Sequence, residues 1–230
     1  MKIEQTDAVL CASDSSSRAF DWQFFLASTS PRRIELLQTI GVPFQCVPVG
    51  AEEPLPDASD ELEPGLFVER LAHLKAQSCN INRIDESGAQ RAVILAADTV
   101  VWHDGGILNK PLDAAEAVRM LKRLRNQTHR VFTGVALRVR QPQQDDEYCL
   151  AHEVTQVTFG DASDAWIERY VATGEPMDKA GAYAAQGRGA VLIERIEGDF
   201  WNVVGLPLAK LSRMLSGIGA PLENWWQDNP

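Results

Sequence analysis

The segment Ser28-Thr-Ser-Pro-Arg-Arg33 gathers hydroxyls, a helix-starting proline and two adjacent cations, the groups that hold an anion. A short apolar run, Phe24–Ala27, reads as a strand that stops at Ser28. Ser30 suits an N-cap, and Pro31 suits the first helical position, where its missing N–H costs nothing. The free N–H groups of such a helix start point outward and attract anions. Arg32 and Arg33 then sit where the helix dipole opposes positive charge. A phosphate bound there removes the conflict. A capped helix with two solvated arginines is the other reading, and the pattern alone does not separate them.

Asp98 interrupts the apolar run Ala92–Ala97 and is followed by Thr99, Val100 and Val101. A carboxylate at the end of a buried strand is costly unless it binds something. It can hold magnesium, orient a water or cap a turn, and strand ends are where open sheets place their active sites. Glu52-Glu53 is either a solvated pair or, facing Asp98 across a cleft, the completion of a hard-cation site. Lys75 falls one helical turn after Leu71, at the edge of an apolar face. In a cleft, Lys75 and Lys110 would neutralise phosphate oxygens; taken singly, each is a surface lysine. The Gly174–Gly187 stretch is glycine-rich, charged and long for a simple connection. Its Gln186 offers a donor and an acceptor, which suits a base edge. The stretch lacks the closing Gly-Lys-Ser/Thr of a P-loop.

The elements that must position these groups follow from periodicity. Ile34, Leu37 and Ile40 predict a helix ending at Gly41, and Phe44–Val49 a strand. Phe67, Leu71 and Leu74 predict a helix over Gly65–Ser78. Asp104-Gly-Gly106 marks a turn. Asp113 and Glu116 resemble a capping box for a helix reaching Leu124. Val131–Val139 and Glu147–Phe159 predict an antiparallel hairpin. Ser163 caps a helix closed by Gly174. Ala190–Ile196 and Phe200–Val204 read as a second hairpin around Glu197-Gly-Asp199, and a last helix covers Leu208–Leu215. The expected layout is a flexible extension over 1–22, one α/β (or α+β) unit with a mixed sheet over 23–216, and a C-terminal tail over 217–230. That tail reads as loose, with Trp225-Trp226 as the pair able to dock.

Composition narrows the partners. The net charge of −10 opposes nucleic-acid binding and makes a phosphate ligand depend on local cations. No apolar run approaches the ~20 residues of a membrane span. The N-terminus lacks a cationic region, and Ala8–Ala12 is shorter than the roughly 7–15 residues of a signal core. A cytoplasmic protein is expected. Cys11, Cys46, Cys79 and Cys149 form no C-x-x-C pair, and the four histidines show no zinc spacing.

Taken together, the chain resembles the Maf family of nucleotide pyrophosphatases from about Phe25 to Leu215. The resemblance rests on Leu26-Ala-Ser-Thr-Ser-Pro-Arg-Arg-Ile-Glu-Leu-Leu37, Ala97-Asp-Thr-Val-Val101, Asn109-Lys-Pro111 and His129-Arg-Val-Phe-Thr-Gly134. Asp178-Lys-Ala-Gly-Ala-Tyr183, Gln186-Gly187 and Val204-Gly-Leu-Pro207 follow in the family's order. It implies hydrolysis of a nucleoside triphosphate between the α and β phosphates with a divalent cation (magnesium, manganese or cobalt). It also implies an inosine-triphosphatase-like fold with two lobes flanking a central cleft. Asp98 matches the proton acceptor and a metal ligand, with Glu52 or Glu53 as the second acid. Ser28, Ser30, Arg32, Arg33, Lys75 and Lys110 match the polar cleft. Arg32, Thr99 and Gln186 match positions marking the branch that acts on dTTP and UTP, with CTP and modified pyrimidine nucleotides as further substrates. The 7-methyl-GTP branch carries Ser-Phe in place of Ala182-Tyr183 and an acid at Gln186. This chain departs from the family at Ala184-Ala185, at Arg125-Asn126 and in its extension of about twenty residues. A rival of another class is a nucleotide-binding regulator of septum formation. The expected partner is the nucleoside triphosphate, with no nucleic acid and no membrane; a homodimer is left open.

Overall fold

A computed structural model describes residues 22–50, 54–79, 91–141 and 143–226. The expected extension over 1–22, apart from Trp22, and both Glu52 and Glu53 lie outside the described residues. Three strands of thirteen residues form the middle of the molecule: β3 (Arg91–His103), β5 (Thr128–Arg140) and β6 (Glu147–Phe159). Around them lie β1 (Trp22–Leu26), β2 (Gln45–Cys46), β4 (Gly106–Leu108) and β7 (Ile193–Glu197). The sheet order is β2-β1-β3-β5-β6-β7, with β4 pairing to β3. β1 runs parallel to β3 and β2, and the other pairings are antiparallel. The expected mixed sheet is thus present, and so is the hairpin of β5 and β6. Asp104 and Gly105, both at positive φ, make the tight turn from β3 into β4.

The helices are α1 (Pro31–Thr39), α2 (Ala58–Leu62), α3 (Pro64–Gln77), α4 (Ala114–Leu124), α5 (Asp164–Ala172), α6 (Phe200–Val204) and α7 (Leu208–Gly217). One face of β3 buries Val93, Leu95 and Ala97 with Leu26, with Leu36 and Leu37 of α1, and with Leu211 and Leu215 of α7. Farther along the same face, Val101 belongs to a separate cluster with Leu121, Leu124, Val131, Phe159 and Ile167. One cluster lies toward each end of β3 and β5. On the opposite face, Ile94 and Ala96 pack with Phe25, Ala72 and Ala76.

Three expectations need correction. Phe200–Val204 is a helix, not the return strand of a hairpin. Asp199 caps it by accepting from the Trp201 N–H at 2.8 Å, and Gly205 closes it at φ 121°. The Asp…Gly bracket outweighs the β-propensity of the aromatic and branched residues between. The strand expected over Phe44–Val49 shrinks to Gln45–Cys46, because Pro48 has no N–H to continue the ladder. The end of the chain is held rather than loose as far as Trp226. Trp225 is buried edge-on against Phe24 with ring centroids 5.2 Å apart. Trp226 Nε1 donates to the Ile40 carbonyl, 2.6 Å away, at the end of α1.

Candidate active site

The site occupies a notch in the edge of β3. β1 ends at Leu26 opposite Leu95, and β4 pairs only from Val101 onward. Among the described residues no strand covers this edge of β3 between them. Asp98 and Thr99 lie in that gap, and the chain leaving β1 turns there into α1. A cleft of about 460 Å³ follows, lined by Ser28, Ser30, Arg32, Arg33, Lys75, Asp98, Thr99, Lys110 and Gln186. The structure therefore gathers every described residue singled out from the sequence. Asp178 and Lys179, which sequence reasoning gave no role, line it as well. Five cationic side chains face two carboxylates among the described lining residues, so the cleft is locally positive in an acidic chain.

Ser28 and Ser30 sit at the mouth of α1. Ser28 Oγ accepts from the Ser30 N–H at 3.1 Å and from Arg33 Nη1 at 3.4 Å. Ser30 has the extended backbone of an N-cap, but its side chain makes no capping bond, contrary to expectation. With Pro31 removing one donor of the first turn and Ser28 holding the loop, the Ser30 hydroxyl is left to the cleft.

Arg32 and Arg33 differ sharply. Arg32 keeps a quarter of its side chain exposed and reaches Asp178 Oδ2 at 3.4 Å, across the cleft. Arg33 is buried and held: Nε donates to the Gly205 carbonyl at 2.9 Å, and Nη2 to Thr99 Oγ1 at 3.2 Å. Thr99 Oγ1 lies 2.9 Å from Thr133 Oγ1, which in turn donates to the Asn202 carbonyl at 2.9 Å. A carbonyl only accepts, so the single Thr133 proton goes to Asn202. The Thr99 proton must then go to Thr133. Thr99 thus has no donor left for a ligand and serves here to hold Arg33. Asn202 anchors the far end, its Nδ2 donating to the Val131 carbonyl and to Thr155 Oγ1 at 3.0 Å each. Sequence reasoning missed Thr133 and Asn202. Their signal was a polar residue inside an inward-facing apolar pattern.

Lys75 and Asp98 form an ion pair, each side chain 12% exposed. Its geometry depends on Gly134, which lies opposite Asp98 in the ladder. A Cβ on Gly134 would fall 2.2 Å from the Val68 carbonyl oxygen, so α3 lies with its backbone directly on the sheet. Lys75 follows Val68 by two turns on the same face, and helical side chains lean back toward the N-terminus. On the far wall, the Gly181 N–H donates to the Asn109 carbonyl at 3.2 Å, tying the 174–187 stretch to the segment bearing Lys110. Behind that wall, His129 Nε2 lies 2.9 Å from the Tyr183 hydroxyl. Burial, helped by the nearby His103, pushes the His129 pKa down to about 3, so this ring is neutral.

Among the described residues no three His, Cys, Asp or Glu side chains converge on a metal position. Magnesium, however, is usually held by one or two carboxylates plus substrate phosphates. Asp98 in a cation-lined cleft fits that donor set.

No helix among the described residues is long and apolar enough to cross a membrane. The chain is similar to known proteins along most of its length. The family model described as "Maf-like protein" matches residues 23–218. The dTTP/UTP pyrophosphatase of Symbiobacterium thermophilum is 48% identical over 200 residues, covering 87% of this chain and 96% of its own. That of Dictyoglomus turgidum is 46% identical over 201 residues, covering 87% and 98%. A solved nucleoside-triphosphatase / dITP/XTP pyrophosphatase from Mycobacterium abscessus aligns with 90% of this chain and 100% of its own. Its identity of 15% and TM-score of 0.36 make that likeness too slight to carry an argument. On the match of the family model and the identity to these relatives, the chain belongs to the Maf-like family.

Proposed function

We propose that the protein hydrolyses nucleoside triphosphates, dTTP and UTP foremost, to the monophosphate and pyrophosphate. One observation carries the reading: a strand-to-helix turn, the cations of α1, of α3 and of the segments bearing Lys110 and Lys179, and the Asp98 carboxylate converge in a single cleft. Converging positive charge on a triphosphate is the main requirement of phosphoryl chemistry. The names of the relatives at 46–48% identity support the choice of dTTP and UTP.

In this proposal Arg32, Lys75 and Lys110 contact phosphate oxygens, and Ser28 and Ser30 add hydroxyls. Arg33 contributes its charge from below without leaving Gly205 and Thr99. Arg32 exchanges Asp178 for the substrate. Asp98 takes the proton of a water whose oxygen bonds to the α-phosphorus. The bond from that phosphorus to the α–β bridging oxygen breaks, and the electron pair leaves on pyrophosphate. A divalent cation, when bound by Asp98, supplies further charge neutralisation; magnesium, manganese and cobalt are the candidates. Gln186 meets the base. The work belongs to the cytoplasm, where triphosphates are held.

The test is pyrophosphate release by purified protein across natural and modified triphosphates with each metal. Release from dTTP and UTP above purine nucleotides is expected. A preference for 7-methyl-GTP would move the protein to that branch, and no release from any triphosphate would leave a binding protein. Asp98→Asn should abolish release with the fold intact; near-normal turnover would remove Asp98 from the chemistry.

A further inference from the structure

Glu175 and Tyr170 stand outside the cleft, yet they hold the segment that reaches into it. Glu175 Oε1 accepts from the Tyr170 hydroxyl at 2.9 Å and from the Gly189 N–H at 3.0 Å. Glu175 Oε2 accepts from the Arg188 N–H at 3.1 Å. The Tyr170 oxygen itself accepts from the Ala184 N–H at 3.1 Å. The backbone is therefore fixed at 184 and again at 188–189, and Gln186 is midway between the fixed points. Two glycines make the clamp possible. Gly187 lies at φ 135°, and a Cβ there would fall 3.0 Å from both Glu175 oxygens. A Cβ on Gly189 would fall 2.5 Å from the Tyr170 oxygen. The Gln-Gly-Arg-Gly run is built around these two side chains.

We propose that Glu175 and Tyr170 are positioning residues for base selection, acting through the backbone that carries Gln186. The inference rests on the pyrophosphatase reading. Three donors meet the Glu175 carboxylate, so it must be acceptor-only. Glutamine in its place sets an NH₂ against one of those donors. Burial raises the Tyr170 pKa and keeps its hydroxyl protonated. On Glu175, burial acts upward but is outweighed by the Gly189 and Arg188 N–H groups, which keep the carboxyl below its usual range. Neither residue lines the cleft, so their effect should appear on the base side and spare the phosphate side.

The experiment compares wild type, Glu175→Gln and Tyr170→Phe with dTTP, UTP, CTP and GTP in magnesium. Tripolyphosphate, which has no base, serves as a competitive inhibitor. The expected result is a rise in KM for dTTP of about tenfold, the effect of one hydrogen bond. The dTTP-to-GTP ratio of kcat/KM should fall by a similar factor, kcat by less than threefold, and the tripolyphosphate inhibition constant should stay within twofold. Faster amide exchange at 184–189 should accompany these changes. An unaltered ratio in both variants overturns the inference. So does a parallel loss of tripolyphosphate binding, which marks a merely structural role. If wild type releases no pyrophosphate from any triphosphate, the function itself fails, and that outcome is distinct from the other two.

Discussion

Gly134→Ala tests whether the Lys75–Asp98 ion pair depends on how closely α3 approaches the sheet. The added Cβ would meet the Val68 carbonyl oxygen at 2.2 Å, its carbon at 2.3 Å and the Glu69 nitrogen at 2.6 Å. Ordinary contact begins at 3.4 Å, so α3 must lift by about 1 Å, since backbone on both sides cannot rotate away. Overpacking of this kind costs about 1–3 kcal/mol. The lift also draws Lys75 from Asp98, and a displacement of about 1 Å in a catalytic group can cost on the order of 100-fold in rate. The variant should lower the urea midpoint by the amount that corresponds to that cost. Its turnover should drop roughly 100-fold under conditions where it remains folded. Urea unfolding read by tryptophan fluorescence, with pyrophosphate release on the same sample, measures both. Wild-type stability together with wild-type turnover would refute the dependence of Lys75–Asp98 on this contact.

Thr133→Val removes the link between Thr99 and Asn202. It leaves a buried carbonyl without its donor, so a loss of about 1–3 kcal/mol is expected, read by urea unfolding. Arg33 is then less firmly oriented, and kcat should fall about tenfold; unchanged kcat would show that Arg33 needs no such support. His129 sets a pH dependence of stability. Its pKa drops from 6.5 to about 3 on folding, so the unfolded chain takes up a proton that the folded chain refuses. Its contribution is fully present above pH 6.5 and declines as pH falls toward 3, by about 1.4 kcal/mol per pH unit. The difference in stability between wild type and His129→Gln, plotted against pH, should show that slope; parallel curves would contradict it.

What was legible in the sequence was local. Pro31 starts α1 where its missing N–H does no harm, and Asp98 betrays itself as an acid in an apolar run. The β5–β6 hairpin follows from alternation on both sides of a polar link. What escaped were relations between distant residues. Arg33 meets Gly205 across 172 positions, and no spacing rule connects them. Thr133 and Asn202 looked like ordinary members of apolar stretches, because burial of a polar group becomes informative only once its partner is known. The paired arginines appeared equivalent until the fold buried one and left the other partly open to the cleft. The Phe200–Val204 helix was hidden by residues that favour strands when read without the bracket around them.

The thirteen-residue strands give the enzyme a mechanical character. β3, β5 and β6 each extend roughly 40 Å and pass uninterrupted beneath both apolar clusters. Eleven paired positions join β3 to β5, and twelve join β5 to β6. Rotating one cluster against the other would flex this whole girder and strain its hydrogen bonds at many points together. The cleft residues outside this frame sit on segments fastened to it, chiefly 174–189, held by Glu175 and Tyr170, and the turn before α1, held by Ser28. Discrimination between bases would then be set by how firmly those segments are fastened, with the long strands staying in place from one ligand to the next.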